Sequence, residues 1–220
     1  MGDIYRNAER VISWLGTGFL VSNFIKGPSY SMDDVYSRTE RGFRAFSKHK
    51  YWSRAWITQE VTLARKLILA AGDEEVAFDV LPGIIRESVL PHSADSLDGQ
   101  RFMYLLHLFR EKSCSIAKDR IFSLLDLCDG QDRSRITVDY STSDAELFVE
   151  IIRAWEDSLC FCTVSLVRAA LNLDYLDIPP HPYINIRLKR HDDQDCMCAS
   201  TLRISLGSRS KAFSSVPNML

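Results

Sequence analysis

Twice along the chain, a helical pattern is followed closely by a short apolar run that stops at a glycine. The first pair is a helix over residues 3–8 and an apolar run over residues 11–15. The second pair is a helix that begins at about Trp52 and an apolar run over residues 66–71. A short apolar run beside a helix is typical of a buried strand in an α/β protein. The sequence therefore predicts an α/β fold with at least two buried strands.

The other patterns make the predicted fold rich in helix. Residues 17–30 contain glycines and a proline and are predicted to form a loop. Residues 76–78 are predicted to pair with the second strand across a turn. Ser143 and Glu146 have the spacing of a capping box, which predicts a helix beginning after Ser143. Further helices are predicted from Ser31 and over residues 79–89, 100–112 and 118–128.

The composition of the chain indicates its cellular compartment and the class of molecule that it can bind. The first ten residues contain two acids, two arginines and no apolar core of a signal peptide. The longest uncharged stretch, residues 11–25, is too short and too interrupted by glycine to span a bilayer. A formal net charge of −2 offers no electrostatic reason to expect nucleic acid. We therefore expect a cytoplasmic protein with neither a membrane span nor a nucleic-acid partner.

The six cysteines are predicted to be reduced thiols, because the chain has no export signal. Two C-x-C pairs, over residues 160–162 and 196–198, lie near His181 and His191 and raise the alternative of a zinc site. Zinc ligands are usually spaced as C-x₂₋₄-C, and the first pair lies in an apolar run. We therefore predict no metal site.

Three blocks of sequence carry a family resemblance. They are GDIYRNAERVISWLG (2–16), YWSRAWITQEVTLARKLILAAG (51–72) and DRIFSLLDLC (119–128), the last followed by Asp139-Tyr140. In this order and spacing, the chain from Met1 to Trp155 resembles the fungal heterokaryon-incompatibility (HET) domain. The resemblance implies a cytoplasmic protein of filamentous fungi with a role in non-self recognition and programmed cell death, acting in signalling through protein contacts. It leaves open which protein is the partner and whether the chain forms a homo-oligomer.

Members of the HET family carry further strands upstream of the first block. Met1 therefore corresponds to a position inside the domain, after those strands. We therefore expect an N-terminally truncated HET domain over residues 1–157, a partial doubly wound fold that lacks its first strands. A truncated gene model, a degenerate paralogue and a short natural protein all remain open. Residues 158–220 are expected to form an irregular, variable extension with a Ser-rich, disordered end.

The HET domain is distantly similar to the TIR domain, in which some members hydrolyse NAD. That similarity implies a catalytic role for Glu60, which follows Trp56 by one helical turn as in TIR enzymes. A carboxylate near the ribose can stabilise the oxocarbenium-like state formed when the nicotinamide–ribose bond breaks. Trp56 and Arg54 are the corresponding substrate-binding candidates. NAD would be the substrate, and no cofactor is predicted.

Each of these residues also has a purely structural interpretation. A glutamate one turn from a tryptophan is common in solvent-facing helices, and Tyr51, Trp52 and Trp56 are typical core aromatics. The loops that bind phosphate in doubly wound folds are missing, so we expect weak or no activity. Three hypotheses follow: a HET-domain signalling protein, an NAD glycohydrolase-like effector that uses Glu60, and a non-functional truncated product.

Two polar pairs outside this region match the HET pattern. Asp119 is interpreted as an acid at a helix start, where the macrodipole favours it, with Arg120 in a structural ion pair. Tyr140 is predicted to pack where the chain enters the helix that follows Ser143.

Overall fold

The computed structural model of the chain describes residues 2–27, 40–90, 97–156 and 159–174. The chain divides into two compact units, Met1–Ser141 and Thr142–Leu220. The first unit contains the three strands of the described residues, and the second contains two described helices. A domain boundary at residue 157 stays a prediction.

The first unit contains a small mixed sheet of three strands. Its strands are β1 (Val11–Trp14), β2 (Leu67–Ala71) and β3 (Glu74–Ala77), in that spatial order. β1 and β2 run parallel, and β2 and β3 form an antiparallel hairpin. All five residues of β2 are buried because a strand flanks it on each side and a helix covers it. The predicted α/β class and the predicted hairpin are therefore confirmed.

The described residues form ten α-helices, eight in the first unit and two in the second. They are α1 (Gly2–Asn7), α2 (Phe19–Ile25), α3 (Glu40–Ser47), α4 (Ile57–Leu63), α5 (Gly83–Val89), α6 (Phe102–Phe109), α7 (Asp119–Leu125), α8 (Gly130–Arg133), α9 (Asp144–Ala154) and α10 (Phe161–Ala170). Short 3₁₀ helices cover Lys50–Ser53 and Phe78–Val80. The apolar faces of α6, α7 and α9 are buried, in keeping with the 3.6-residue periodicity of their apolar residues.

The first strand is less buried than the sequence predicts. Ser13 is buried, whereas Ile12 and Trp14 are 49% and 53% exposed. β1 is an outer strand of the sheet, and alternate residues of a strand point to opposite faces. Ile12 and Trp14 share the face that is left largely uncovered. The prediction of a fully buried strand is therefore wrong for this face.

The predicted loop over residues 17–30 is also wrong, because α2 occupies its centre. Val21, Phe24 and Ile25 are buried, and α2 packs on α3, β2 and β3. The Phe24 and Phe46 rings are 5.1 Å apart. Glycines at the ends of this segment suggested a loop, but burial of one apolar face stabilises a helix between them.

Several helices begin later than predicted. The segment after His49 first forms the 3₁₀ helix, and α4 begins only at Ile57. α5 begins at Gly83, directly after Pro82. Leu81 is extended, because a proline disfavours helical backbone in the residue before it. The predicted start at Ser31 lies outside the described residues.

In the second unit, the predicted capping box is confirmed. Ser143 accepts a hydrogen bond from the Glu146 amide, and the Glu146 carboxylate accepts one from the Ser143 amide. α10 (Phe161–Ala170) lies in the segment that was predicted to be irregular. Its N-cap is Cys160, whose amide donates to Thr163 Oγ1 at 2.9 Å. The C-x-C pair over 196–198, His181, His191 and the Ser-rich end lie outside the described residues.

Candidate functional site

Glu60 lies on α4, which packs against α1 on one side and α7 on another. Thr58 and Gln59 beside it are fully buried, whereas Glu60 is half-buried. Its carboxylate therefore reaches the boundary between the core and solvent, where an ionised group can be stabilised by a few directed hydrogen bonds.

A hydrogen-bonded series connects β1 to Glu60. The Tyr51 hydroxyl donates to Glu60 Oε2 at 2.7 Å and also contacts Ser13 Oγ. An ionised carboxylate only accepts hydrogen bonds, and a phenol has a single proton. Ser13 must therefore donate to Tyr51 while Tyr51 donates to Glu60. We call Ser13, Tyr51 and Glu60 the Glu60 relay.

The 3₁₀ helix positions Tyr51 for this relay. His49 Nδ1 accepts the Tyr51 amide at 3.2 Å, and the neighbouring Trp52 indole donates to the Phe46 carbonyl at 2.8 Å. Tyr51 and Trp52 are 6% and 4% exposed, and their rings pack edge to face. The structural interpretation of these two aromatic residues as core is confirmed.

Arg54 contacts the ring of Tyr51. It is exposed, and its guanidinium carbon lies 5.8 Å from the ring centre in a cation–π arrangement. Burial is the main cause of the raised pKa of Tyr51. The charge of Glu60 raises this pKa further, whereas the charge of Arg54 lowers it. Burial likewise raises the pKa of Tyr5, again with Glu60 raising it and Arg54 lowering it. Both phenols therefore stay protonated and available as donors at neutral pH.

Trp56 lines a cleft of about 360 Å³ whose walls do not include Glu60. We call it the Trp56 cleft. Its walls are the aromatic residues Trp56, Phe122 and Tyr140, the aliphatic residues Leu125, Ile136 and Val138, and the polar residues Asp126 and Arg133. Ligand pockets have volumes of roughly 300–1,000 Å³ and are mostly apolar with a few polar groups. The cleft has the size and lining of a small-molecule site.

The polar end of the Trp56 cleft is an ion pair. Arg133 Nη2 lies 2.7 Å from Asp126 Oδ1, and the other Asp126 oxygen accepts the Gly2 amide. Arg6 donates to the Asp126 carbonyl at 2.9 Å. Burial opposes ionisation of Asp126, but the Gly2 amide and the nearby positive charges prevail and lower its pKa. Asp126 is therefore ionised and orients Arg133 at neutral pH.

Tyr140 also lines the cleft, and Asp119 outside the lining accepts its hydrogen bond. The Tyr140 hydroxyl donates to Asp119 Oδ1 at 2.7 Å, and its ring packs edge to face on Phe122 at 5.1 Å. Asp119 begins α7, as predicted, and Arg120 donates to the Lys112 carbonyl. Tyr140 therefore packs on α7, which the sequence did not predict.

The structure thus brings Glu60 and Arg54 together around Tyr51, whereas the lining of the Trp56 cleft does not include Glu60. Sequence reasoning missed Ser13 and Arg133. Ser13 carries a recoverable signal, since it is the polar residue in an otherwise apolar strand. Arg133 carries none, because its partner Asp126 lies on another element.

No group of metal-ligating side chains is present among the described residues, which include four of the six cysteines as free thiols. None of the helices within the described ranges has the length and apolar character needed to cross a bilayer. No family model matches the chain, and no curated protein or solved structure matches it.

Proposed function

We propose that this chain is a HET-domain protein that acts in fungal non-self recognition and programmed cell death through contacts with a protein partner in the cytoplasm. Two features support the family. The first two matching blocks form the pairs α1–β1 and α4–β2, and their strands lie side by side and parallel. Adjacent parallel strands joined through helices are the basic unit of a doubly wound sheet.

The exposed face of β1, formed by Ile12 and Trp14, is the observation that carries the signalling role. Large apolar side chains about half exposed on an outer strand are costly in water and mark interaction surfaces. Ile4, Phe19 and Leu20, which flank β1 in the sequence, are also exposed. A protein partner that covers Ile12 and Trp14 would remove this cost.

The test is expression in filamentous fungal cells with a count of dead cells. The wild-type chain should cause cell death, and Ile12→Thr and Trp14→Thr should reduce it at least about tenfold, since each removes apolar area from the contact. Threonine keeps the β propensity of the strand. The matched control is Val80→Thr, at an apolar residue that is 63% exposed outside the sheet. Cell death that is unchanged in both β1 variants would contradict the proposal.

A second candidate, NAD glycohydrolase-like activity with Glu60 as the catalytic carboxylate, is favoured by the half-buried carboxylate of the Glu60 relay. Arg54 would bind a phosphate of the substrate beside it. Trp56 lines a cleft that does not include Glu60, so the aromatic wall expected beside the ribose is lacking in this arrangement. This observation ranks the enzyme second.

An NAD-cleavage assay that measures released nicotinamide distinguishes the two candidate functions. The enzyme hypothesis expects cleavage by the wild type and by the control Glu87→Gln, and loss in Glu60→Gln, which retains the hydrogen bond from Tyr51. Absence of cleavage in all three proteins would exclude the enzyme and leave the signalling proposal intact.

A further inference from the structure

The Trp56 cleft contains an aromatic surface on which no ring of the described residues packs. Phe122 and Tyr140 pack on each other, whereas Trp56 makes no ring contact with another described residue. Its indole N–H also has no hydrogen-bond partner within the described ranges. Buried or half-buried indoles usually satisfy this donor. Trp56 lines the cleft, and neither its ring nor its indole N–H has a partner among the described residues.

The charge that the cleft presents is positive. The Asp126 side chain is 10% exposed, and it is occupied by Arg133 and by the Gly2 amide. The Arg133 side chain is 49% exposed. A guanidinium has five N–H donors, and Arg133 Nη2 is the nitrogen that forms the ion pair with Asp126. The remaining N–H donors of Arg133 can bind a planar anionic group with two parallel hydrogen bonds.

From this geometry we propose that the Trp56 cleft binds a small planar aromatic carboxylate. The ring lies against Trp56 between the aliphatic walls, and the carboxylate accepts hydrogen bonds from Arg133. A neutral aromatic compound would leave the Arg133 donors unused, and an aromatic cation would be repelled by Arg133. Glu60 takes no part, so this site is independent of both candidate functions.

The test is isothermal titration calorimetry with three probes. 2-Naphthoate has both the ring and the charge, 2-naphthamide has the ring alone, and inorganic phosphate has the charge alone. The wild-type chain should bind 2-naphthoate at least about tenfold more tightly than 2-naphthamide, the factor expected for a hydrogen bond to a charged group. Phosphate should not compete with 2-naphthoate for the cleft, even at concentrations at which 2-naphthoate saturates its site.

Two variants assign the contacts. Arg133→Gln should abolish the preference for naphthoate over naphthamide, and Trp56→Leu should weaken both about tenfold by removing the stacking surface. The matched control is Arg44→Gln, which removes an exposed arginine that pairs with Glu40 outside the cleft. Glu60→Gln should bind as the wild type does, which keeps this result separate from the NAD-cleavage assay.

The proposal is overturned if the wild-type chain binds both naphthalene probes equally or binds neither. Persistence of the naphthoate preference in Arg133→Gln would overturn it too. Val138→Asp provides a test that does not break the ion pair, because Val138 is 54% exposed at the wall of the cleft. The new carboxylate should weaken naphthoate at least about tenfold more than naphthamide, since like charges repel. Equal weakening of both would contradict the charge assignment.

Discussion

Tyr51 donates its phenol proton to Glu60 across 2.7 Å and accepts the hydroxyl proton of Ser13. Three elements, β1, the 3₁₀ helix and α4, therefore meet at one phenol oxygen. This contact fixes the orientation of the Glu60 carboxylate, and it gives the buried Ser13 hydroxyl its partner.

Replacing Tyr51 with phenylalanine should destabilise the fold. Ser13 is 1% exposed and would lose its partner, and Glu60 would lose its donor. An unsatisfied buried hydroxyl costs about 1–3 kcal/mol, so the free energy of unfolding in urea should fall by that amount. Tyr5→Phe is the control, because the Tyr5 hydroxyl makes no hydrogen bond to a described residue. Equal losses for the two variants would contradict the relay.

Removing the Asp132 carboxylate should be among the most costly single changes. It is 1% exposed, accepts the Phe102 amide at the start of α6 at 2.8 Å, and pairs with Arg101 and Arg135. The arginines are partly exposed, so we expect Asp132→Ala to lower the free energy of unfolding by about 2–3 kcal/mol.

Asp132→Asn, which keeps an acceptor for the amide, should lose less than Asp132→Ala. The exposed Asp79→Ala should change the unfolding free energy by under about 0.5 kcal/mol. Urea unfolding of the three variants gives the ranking. Similar values for Asp132→Ala and Asp79→Ala would refute the structural role of Asp132.

Gly72→Ala should destabilise the β2–β3 hairpin. Gly72 has a φ of 57°, and an added Cβ would lie 3.2 Å from Ser22 Oγ. The left-handed conformation costs about 1–2 kcal/mol for a residue with a side chain, and the thermal midpoint should fall accordingly. At Gly83 an added Cβ meets open space, so Gly83→Ala should be neutral or stabilising. A neutral Gly72→Ala would show that the turn can change conformation.

Lys112 should make stability rise with pH above neutrality. Burial lowers its pKa from 10.5 to about 8, and its ammonium group donates to the Trp52 carbonyl. Between about pH 8 and 10.5 the unfolded chain therefore binds more protons than the folded chain, so the free energy of unfolding increases through this window. Below pH 8 both states are protonated, and the cost of burying the charge is fully present.

Lys112→Met removes this cost and should be more stable than the wild type at pH 7, by at most about 3 kcal/mol. The difference should shrink as the pH approaches 10.5, where the wild-type side chain is neutral. The readout is urea unfolding of both proteins at pH 7 and pH 10, with the exposed Lys50→Met as control. A difference that is the same at both pH values would contradict the burial of a charge at Lys112.

Apolar periodicity predicted the helices α6, α7 and α9 and the strands β1 and β2, because these patterns depend on neighbours a few residues apart. It failed at α2, where local glycines favoured a loop and the helix is stabilised by packing of Phe24 on α3 and the sheet. Apolar periodicity also predicted the wrong burial for Ile12 and Trp14, because the residues of a strand do not specify whether it lies in the middle or at the edge of a sheet.

For the candidate site, the α/β class and the residue types on α4 could be predicted from the sequence, including a carboxylate one turn after Trp56. The contacts could not be predicted: Glu60 meets Tyr51 and Ser13, whereas Trp56 lines a cleft with Arg133 and Asp126. Helical spacing places two side chains on one face, but the cavity that a side chain lines, or the hydrogen bond that it makes, depends on elements distant in the chain.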